Sequence, residues 1–423
     1  MSTNYKFSTI AVQGTYKADE TGARILPIHQ TASFDLGNTE KASNLFALKE
    51  FGNIYSRINN PTCTAFEEKV ALLEGGVAAL STSSGQAALS IAILNICGAG
   101  DHILASSSIY GGSYTLFKYT FGKLGIEVTF FDQESSFDEI QALVKPNTKA
   151  VYGETIGNPG LNILDFEKFA KVSEKNKIPF IVDNTFATPY LARPFEFGAH
   201  IVIHSATKYI GGHGNSIGGV IVDSGKFDWD NGKFKDLIEP DPSYHGMKYV
   251  ETFGPLSYIV KARVQVLRDV GATLSPFNSF LLNLGLETLP IRMEKHCENT
   301  LKLAKYLETN ENVSWVNYPG IDTHKTYDRK EKYLPKGASG VFTFGIKGGK
   351  EGGIKFIDSV KLASLVANIG DTRTMVIHPA STTHSQLSEQ EQNSSGVTSD
   401  LIRVSVGIED IEDIIEDFKK ALA

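Results

Sequence analysis

From Thr64 onward the chain alternates between short apolar runs and longer stretches with helical spacing. Strand-like runs stand at 78–81, 102–105, 127–131, 150–154, 179–182, 200–203 and 219–222, and helical patterns at 66–73, 86–97, 113–124 and 165–176. Strands alternating with helices of that length predict βα units and a mostly parallel sheet buried on both faces. Beyond Leu274 the pattern changes to a long helical segment (292–307), a loop punctuated by proline and glycine, two further strand-like runs, and an acidic amphipathic helix (411–422). That change predicts a smaller C-terminal α+β domain. The first sixty or so residues read as irregular and polar, ending in the turn-forming run from Gly52 to Pro61. The expected division is therefore an N-terminal arm (1–61), an α/β domain (62–273) and a C-terminal domain (274–423). An arm with no core of its own must lie on the main domain or on a second subunit.

Composition narrows the function classes. Hydrophobic residues make up 41% and charged residues 21% of 423 positions, which suits sizeable buried cores and not disorder. A net charge of −7 argues against nucleic acid, whose phosphates need a basic face. Residues 1–13 lack the basic flank and apolar core of a secretory signal, and the most apolar stretch, 87–97, is too short to span a bilayer and is broken by Ser90 and Asn95. Cys63, Cys97 and Cys297 are odd in number and widely spaced, so small core residues in a reducing cytosol are expected, not a disulfide framework or a zinc site.

In an open α/β sheet, ligands bind beyond the carboxyl ends of the strands, and three polar features fall at such ends. Ser83-Ser84-Gly85-Gln86 joins a strand to a helix, where small residues let backbone amides approach an anion. Neither GxxxxGK[ST] nor GxGxxG occurs, and by itself this segment reads equally as a plain turn. Asp183 ends the apolar run 179–182, where a carboxylate can hold a protonated pyridine nitrogen or simply cap the next helix. His204-Ser205-Ala206-Thr207-Lys208 follows the run 200–203, with glycines beyond it. A lysine there is either a surface lysine or a buried amine with a lowered pKa, suited to imine formation with Ser205 and Thr207 on a phosphate. Taken together, the three features supply contacts for the ring nitrogen, the aldehyde and the phosphate of pyridoxal 5'-phosphate (PLP).

With Tyr55-Ser56-Arg57, the Ser-Ala-Thr-Lys segment, His378-Pro-Ala-Ser-Thr-Thr-His384 and the run from Arg403 to Asp410, the chain resembles the PLP enzymes of cysteine and methionine metabolism along essentially its whole length. That family includes cystathionine synthases and lyases, methionine γ-lyases and O-acetylhomoserine sulfhydrylases. The resemblance implies a PLP-dependent transferase of fold type I, like aspartate aminotransferase. It implies Lys208 as Schiff-base lysine and proton shuttle, Asp183 at the ring nitrogen, and Gly85, Gln86, Ser205 and Thr207 on the phosphate. Tyr110 would stack on the ring and serve the leaving group, and Asn158 would touch the ring hydroxyl. Tyr55 and Arg57 would reach the neighbouring subunit's phosphate, Tyr55 also its substrate, while Arg403 clamps the substrate carboxylate beside Asn368. A core tyrosine, a turn asparagine, a solvated arm arginine and a structural ion pair are the bland alternatives for Tyr110, Asn158, Arg57 and Arg403. His378 and His384 are expected in a structural loop, because Pro379 forbids the regular helix that a zinc spacing would use. The family further implies a cytoplasmic homotetramer built from catalytic dimers.

Within the family, departures point one way. Methionine γ-lyases place a cysteine shortly after the stacking tyrosine, whereas Gly111-Gly112-Ser113 follows Tyr110. Lyases and synthases usually carry Ser-Leu-Gly before the His-Pro motif, whereas this chain has Asn368-Ile369-Gly370, and extra residues lie around 229–248. Both features resemble the sulfhydrylases, which implies γ-replacement: O-acetyl-L-homoserine plus sulfide or methanethiol gives L-homocysteine or methionine plus acetate. The alternatives are methionine γ-lyase or cystathionine γ-synthase or lyase activity and, from another class, a cofactor-free binding protein on the same scaffold.

Overall fold

The computed structural model describes residues 5–18, 20–382 and 396–423. Seven strands, β1 (Ala78–Thr82), β2 (His102–Ser106), β3 (Glu127–Phe131), β4 (Thr148–Glu154), β5 (Phe180–Asp183), β6 (Ile201–Ser205) and β7 (Gly219–Asp223), form one sheet in the order β1-β7-β6-β5-β4-β2-β3. Pairing is parallel throughout except for β7, which runs antiparallel to both β1 and β6. Each expected strand is present within a residue or two, because these runs are apolar on both faces and have no competing helical period.

Alternate residues of each strand enter two different cores. Ile103, Tyr152, Ile181, Ile201, Ile203 and Ile221 pack on one face with the helix Gly85–Leu94 and the segment around Tyr249–Leu267. Leu104, Val151, Val182, Val202, Val220 and Val222 pack on the other with the helices Pro61–Glu74 and Phe166–Asn176. This second core runs without a break into a smaller sheet made of β8 (Val313–Asn317), β9 (Val341–Ile346), β10 (Ser364–Leu365), β11 (Met375–Ile377) and β12 (Leu401–Ser405). Its order is β10-β11-β12-β9-β8, antiparallel apart from β10 with β11. The long helix Leu289–Glu308 and the terminal helix Ile411–Leu422 cover it. No helix among the described residues is long and apolar enough to cross a membrane.

Three expectations needed correction. The arm is not wholly irregular: it carries helices at Phe7–Gln13 and Thr39–Phe46. Phe7, Ile10 and Ala11 form a short apolar stripe that lays the first helix on the main core, with Ala11 fully buried. The helix expected over 113–124 is a short α-helix, Gly111–Thr115, running into a π-helix at Leu116–Phe121. The C-terminal part holds five strands where two runs were legible, since β10 and β11 are too short to show a period. The residues around 229–248 pack on the sheet: Trp229 stacks on Tyr258 with ring centroids 4.9 Å apart.

Candidate active site

The site follows from the register of β4, β5 and β6. Glu154 pairs with Asp183, and Asp183 with Ile203, so Glu154, Asp183 and, two residues on, Ser205 leave the carboxyl ends of three strands on one face. Their neighbours Thr155, Asn184 and His204 point to the other face and form a buried polar row. There Thr155 Oγ1 donates to Asn184 Oδ1 at 2.7 Å, Asn184 Nδ2 donates to Glu74 Oε1 at 2.9 Å, and His204 Nε2 lies 2.6 Å from the same oxygen. The row pins three strand ends together beneath the site. Asp183 itself accepts from the Thr185 amide at 2.9 Å. Burial pushes its carboxyl up, and the bonds from Thr185 work against that.

Lys208 sits on the tight turn after β6. The Gly211 amide donates to Ala206 O at 2.9 Å and the Gly212 amide to Lys208 O at 2.8 Å. Arg292, buried and without a carboxylate partner among the described residues, donates to the carbonyls of Tyr209 (2.7 Å), Ile210 (3.3 Å) and Gly285 (2.6 Å), so it clamps this turn to the helix Pro276–Glu287. The small sheet's loop presses on the same turn. A Cβ on Gly370, whose φ is +73°, would stand 2.7 Å from the Tyr209 nitrogen, so only glycine lets the loop this close. The approach brings Asn368 to the lysine, whose Nζ donates to Asn368 Oδ1.

Arg403, on β12, faces the same space. Among the described residues its guanidinium has no hydrogen bond and no ion pair. Burial, with the positive charge of Arg403 acting in the same direction, lowers the Lys208 ammonium to about 8. The neutral amine therefore predominates above about pH 8, not only near 10.5. Rebinding of PLP by the cofactor-free protein should accelerate as pH rises through that midpoint and then level off, followed as growth of the visible band. A midpoint near the ordinary lysine value of 10.5 would contradict the burial described here.

The turn expected to meet an anion lies at the N-terminus of the helix Gly85–Leu94. Ser84 Oγ accepts from the Ala87 amide at 3.1 Å, while the amides of Gly85 and Gln86 donate to no protein group among the described residues. A Cβ on Gly85 would stand 2.6 Å from Ser205 Cβ, so the helix end and the Ser205 hydroxyl share one cradle, and that hydroxyl has no partner of its own among the described residues. Thr207 is placed less freely: its hydroxyl donates to Gly218 O at 3.2 Å and accepts from the Gly218 amide at 3.1 Å. Tyr110 is half-exposed, its ring lying over Gly112 beside the Gln86 amide. Asn158 stands on the loop after β4, which Gly157 lets pack against Ser108.

Tyr55 and Arg57 do not join this group within the chain. Arg57 stacks on the Tyr55 ring at 5.3 Å and donates to Arg268 O, and neither side chain hydrogen-bonds to Gly85, Gln86, Ser205 or Lys208. His378 sits in a structural setting, Nδ1 2.8 Å from Ser381 Oγ and Nε2 2.8 Å from Ser399 O, whereas His384 lies outside the described residues. The three cysteines are buried and free. Glu154, Arg292 and Gly370 carried no expectation from sequence. For Glu154 a signal existed, since it closes a buried apolar run as Asp183 does.

These residues fit PLP: unclaimed amides and a hydroxyl for a phosphate, a carboxylate for a ring nitrogen, a neutralisable lysine for an aldehyde, and an unpaired guanidinium for a substrate carboxylate. The known proteins agree. An O-acetyl-L-homoserine sulfhydrylase of Leptospira meyeri is 50% identical, the match covering 100% of this chain and 98% of the relative. A homocysteine synthase of Schizosaccharomyces pombe is 50% identical, over 98% of each. A solved structure from Campylobacter jejuni, named as a candidate O-acetylhomoserine (thiol)-lyase and holding N'-pyridoxyl-lysine-5'-monophosphate, superposes with a TM-score of 0.96 at 38% identity over 99% of this chain and 100% of that one. The profile of the family described as Cys/Met metabolism PLP-dependent enzyme matches residues 8–423. The chain belongs to the PLP-dependent enzymes of cysteine and methionine metabolism.

Proposed function

We propose that the chain catalyses γ-replacement on O-acetyl-L-homoserine, sulfide or methanethiol taking the place of acetate to give L-homocysteine or methionine. One observation carries the reading: Arg403, without a partner among the described residues, faces Lys208, whose amine is held by Asn368 at the position where the lyases usually carry serine. The names of the relatives agree with it.

Bound PLP supplies a carbon that holds the substrate amine and a ring that takes up the electron pair left when Cα loses its proton. The chain's own residues do the rest. Arg403 holds the substrate carboxylate and so fixes Cα over Lys208, which takes the Cα proton and moves it onward. Asp183 keeps the ring nitrogen protonated. Gly85, Gln86 and Ser205, with Thr207 behind them, hold the phosphate, and Asn158 meets the ring hydroxyl. Tyr110, above the pocket, delivers a proton to the departing acetate oxygen. Asn368 receives the Lys208 amine whenever it is released.

The division into arm (1–61), PLP-binding domain (62–273) and C-terminal domain (274–423) belongs to the same proposal. So does a homotetramer of catalytic dimers in the cytoplasm. Tyr55 and Arg57, which meet none of their expected partners within one chain, would serve a second subunit's site.

The test is a comparison of O-acetylhomoserine and O-acetylserine, each with sulfide, cysteine and methanethiol. Homocysteine formed from O-acetylhomoserine and sulfide, in preference to the other pairs, is expected. Release of 2-oxobutanoate from methionine or cystathionine without sulfide-dependent homocysteine would replace this reading with γ-elimination.

A further inference from the structure

Two acids close adjacent strands on the site face, and only one of them has a place in the chemistry above. Glu154 and Asp183 are paired residues of the β4–β5 ladder, so their side chains rise side by side. Glu154 is 5% exposed. One of its oxygens accepts from the Tyr110 amide at 2.8 Å, and no lysine, arginine or histidine pairs with it among the described residues. Tyr152, two residues earlier on the same strand and face, is fully buried.

The titratable groups around Glu154 are thus Asp183 from β5 and Tyr152 from its own strand, with the Tyr110 main chain above, and among the described residues none is a cation. Two neighbouring buried carboxyls with no cation between them do not both ionise. Burial and the charge of Asp183 both push the Glu154 carboxyl up. Tyr110, for its part, has little else to hold it. It precedes the short helix Gly111–Thr115 with no side-chain cap, and its ring is half-exposed.

We infer that Glu154 is a positioning residue acting as the neutral acid: it fixes the Tyr110 main chain, and with it the phenol, above the pocket, and leaves Asp183 the single anion beneath the ring. This rests on the reading of Asp183 and Tyr110 given above.

The experiment compares holoenzyme carrying Glu154→Gln, Glu154→Ala, Asp183→Asn or Tyr110→Ala. It reads the PLP dissociation constant and the visible absorption and circular dichroism from about pH 6 to about pH 9, on either side of an ordinary histidine. An amide reproduces a neutral acid, so Glu154→Gln should keep the dissociation constant within about twofold and follow the wild-type pH response, whereas Glu154→Ala should weaken PLP by about tenfold and lose the induced dichroism. Glu154→Ala behaving as wild type, or Glu154→Gln departing from the wild-type pH response, would overturn the inference. If Glu154→Ala does not fold, Glu154→Gln decides alone on the same criterion. Asp183→Asn and Tyr110→Ala that both leave PLP binding and spectrum untouched would instead sink the reading of the site beneath it.

Discussion

Lys208→Ala is expected to lower kcat for homocysteine formation by about 10⁴-fold or more, with the fold intact. A positioned proton carrier typically contributes about 10²–10⁴-fold, and Lys208 is assigned both the covalent hold on PLP and more than one proton transfer. The turn that bears it does not depend on the amine: its backbone is fixed by Arg292 and by the internal bonds of Gly211 and Gly212. The amine itself contributes one hydrogen bond, to Asn368. Far-ultraviolet dichroism and the thermal midpoint should therefore stay close to wild type while turnover disappears. Loss of activity accompanied by loss of fold would leave the catalytic assignment without support from this variant, and retention of more than about a hundredth of kcat would contradict it.

Arg403→Leu should lower kcat/KM by about 10²–10³-fold, chiefly through KM. A buried charge-assisted pair to a carboxylate, once one partner is removed, typically costs about 2–5 kcal/mol, because the other charge is left buried and unpaired. Here that other charge is the substrate's, so the penalty falls on binding. The same substitution removes the positive neighbour of Lys208, so the midpoint for PLP rebinding should move upward from about 8 while burial continues to hold it below the ordinary value. A structural arginine would lose stability on substitution and move neither quantity. Steady-state kinetics with the pH dependence of rebinding separates the two roles.

The parallel sheet was legible because its strands are apolar on both faces. Runs such as Phe180–Asp183 cannot be read as amphipathic helix, and their carboxyl ends place Asp183 and Lys208 without further knowledge. The segment Ser83-Ser84-Gly85-Gln86 reads as an anion-binding or a plain turn, and Ser205 as a phosphate-binding hydroxyl beside Lys208; the structure adds that Gly85 and Ser205 lie against each other. The smaller sheet was only partly legible. β10 and β11 are two or three residues long, and what holds them is pairing with partners distant in sequence. Arg403 shows the same limit: nothing local tells an arginine on a short strand that its guanidinium will lie beside Lys208.

Glu154 was missed for a different reason. A strand that ends in glutamate looks like a strand reaching solvent, and only the register with Asp183 and the descent of the Tyr110 loop bury it. The arm was misread because three residues, Phe7, Ile10 and Ala11, are enough to seat a helix on an existing core but too few to stand out among polar neighbours. Thr207 tempers the sequence reading in another way. Its hydroxyl is tied to Gly218, so the phosphate role proposed for it requires that bond to exchange, whereas the Ser205 hydroxyl has no partner among the described residues to give up.

The dependence of everything here on one amine gives the most direct measurement. Holoenzyme reduced with borohydride, digested and mapped should carry a pyridoxyl label on the peptide containing Lys208 and on no other. A label on a different lysine, or no label in a protein that still converts O-acetylhomoserine and sulfide to homocysteine, would contradict it.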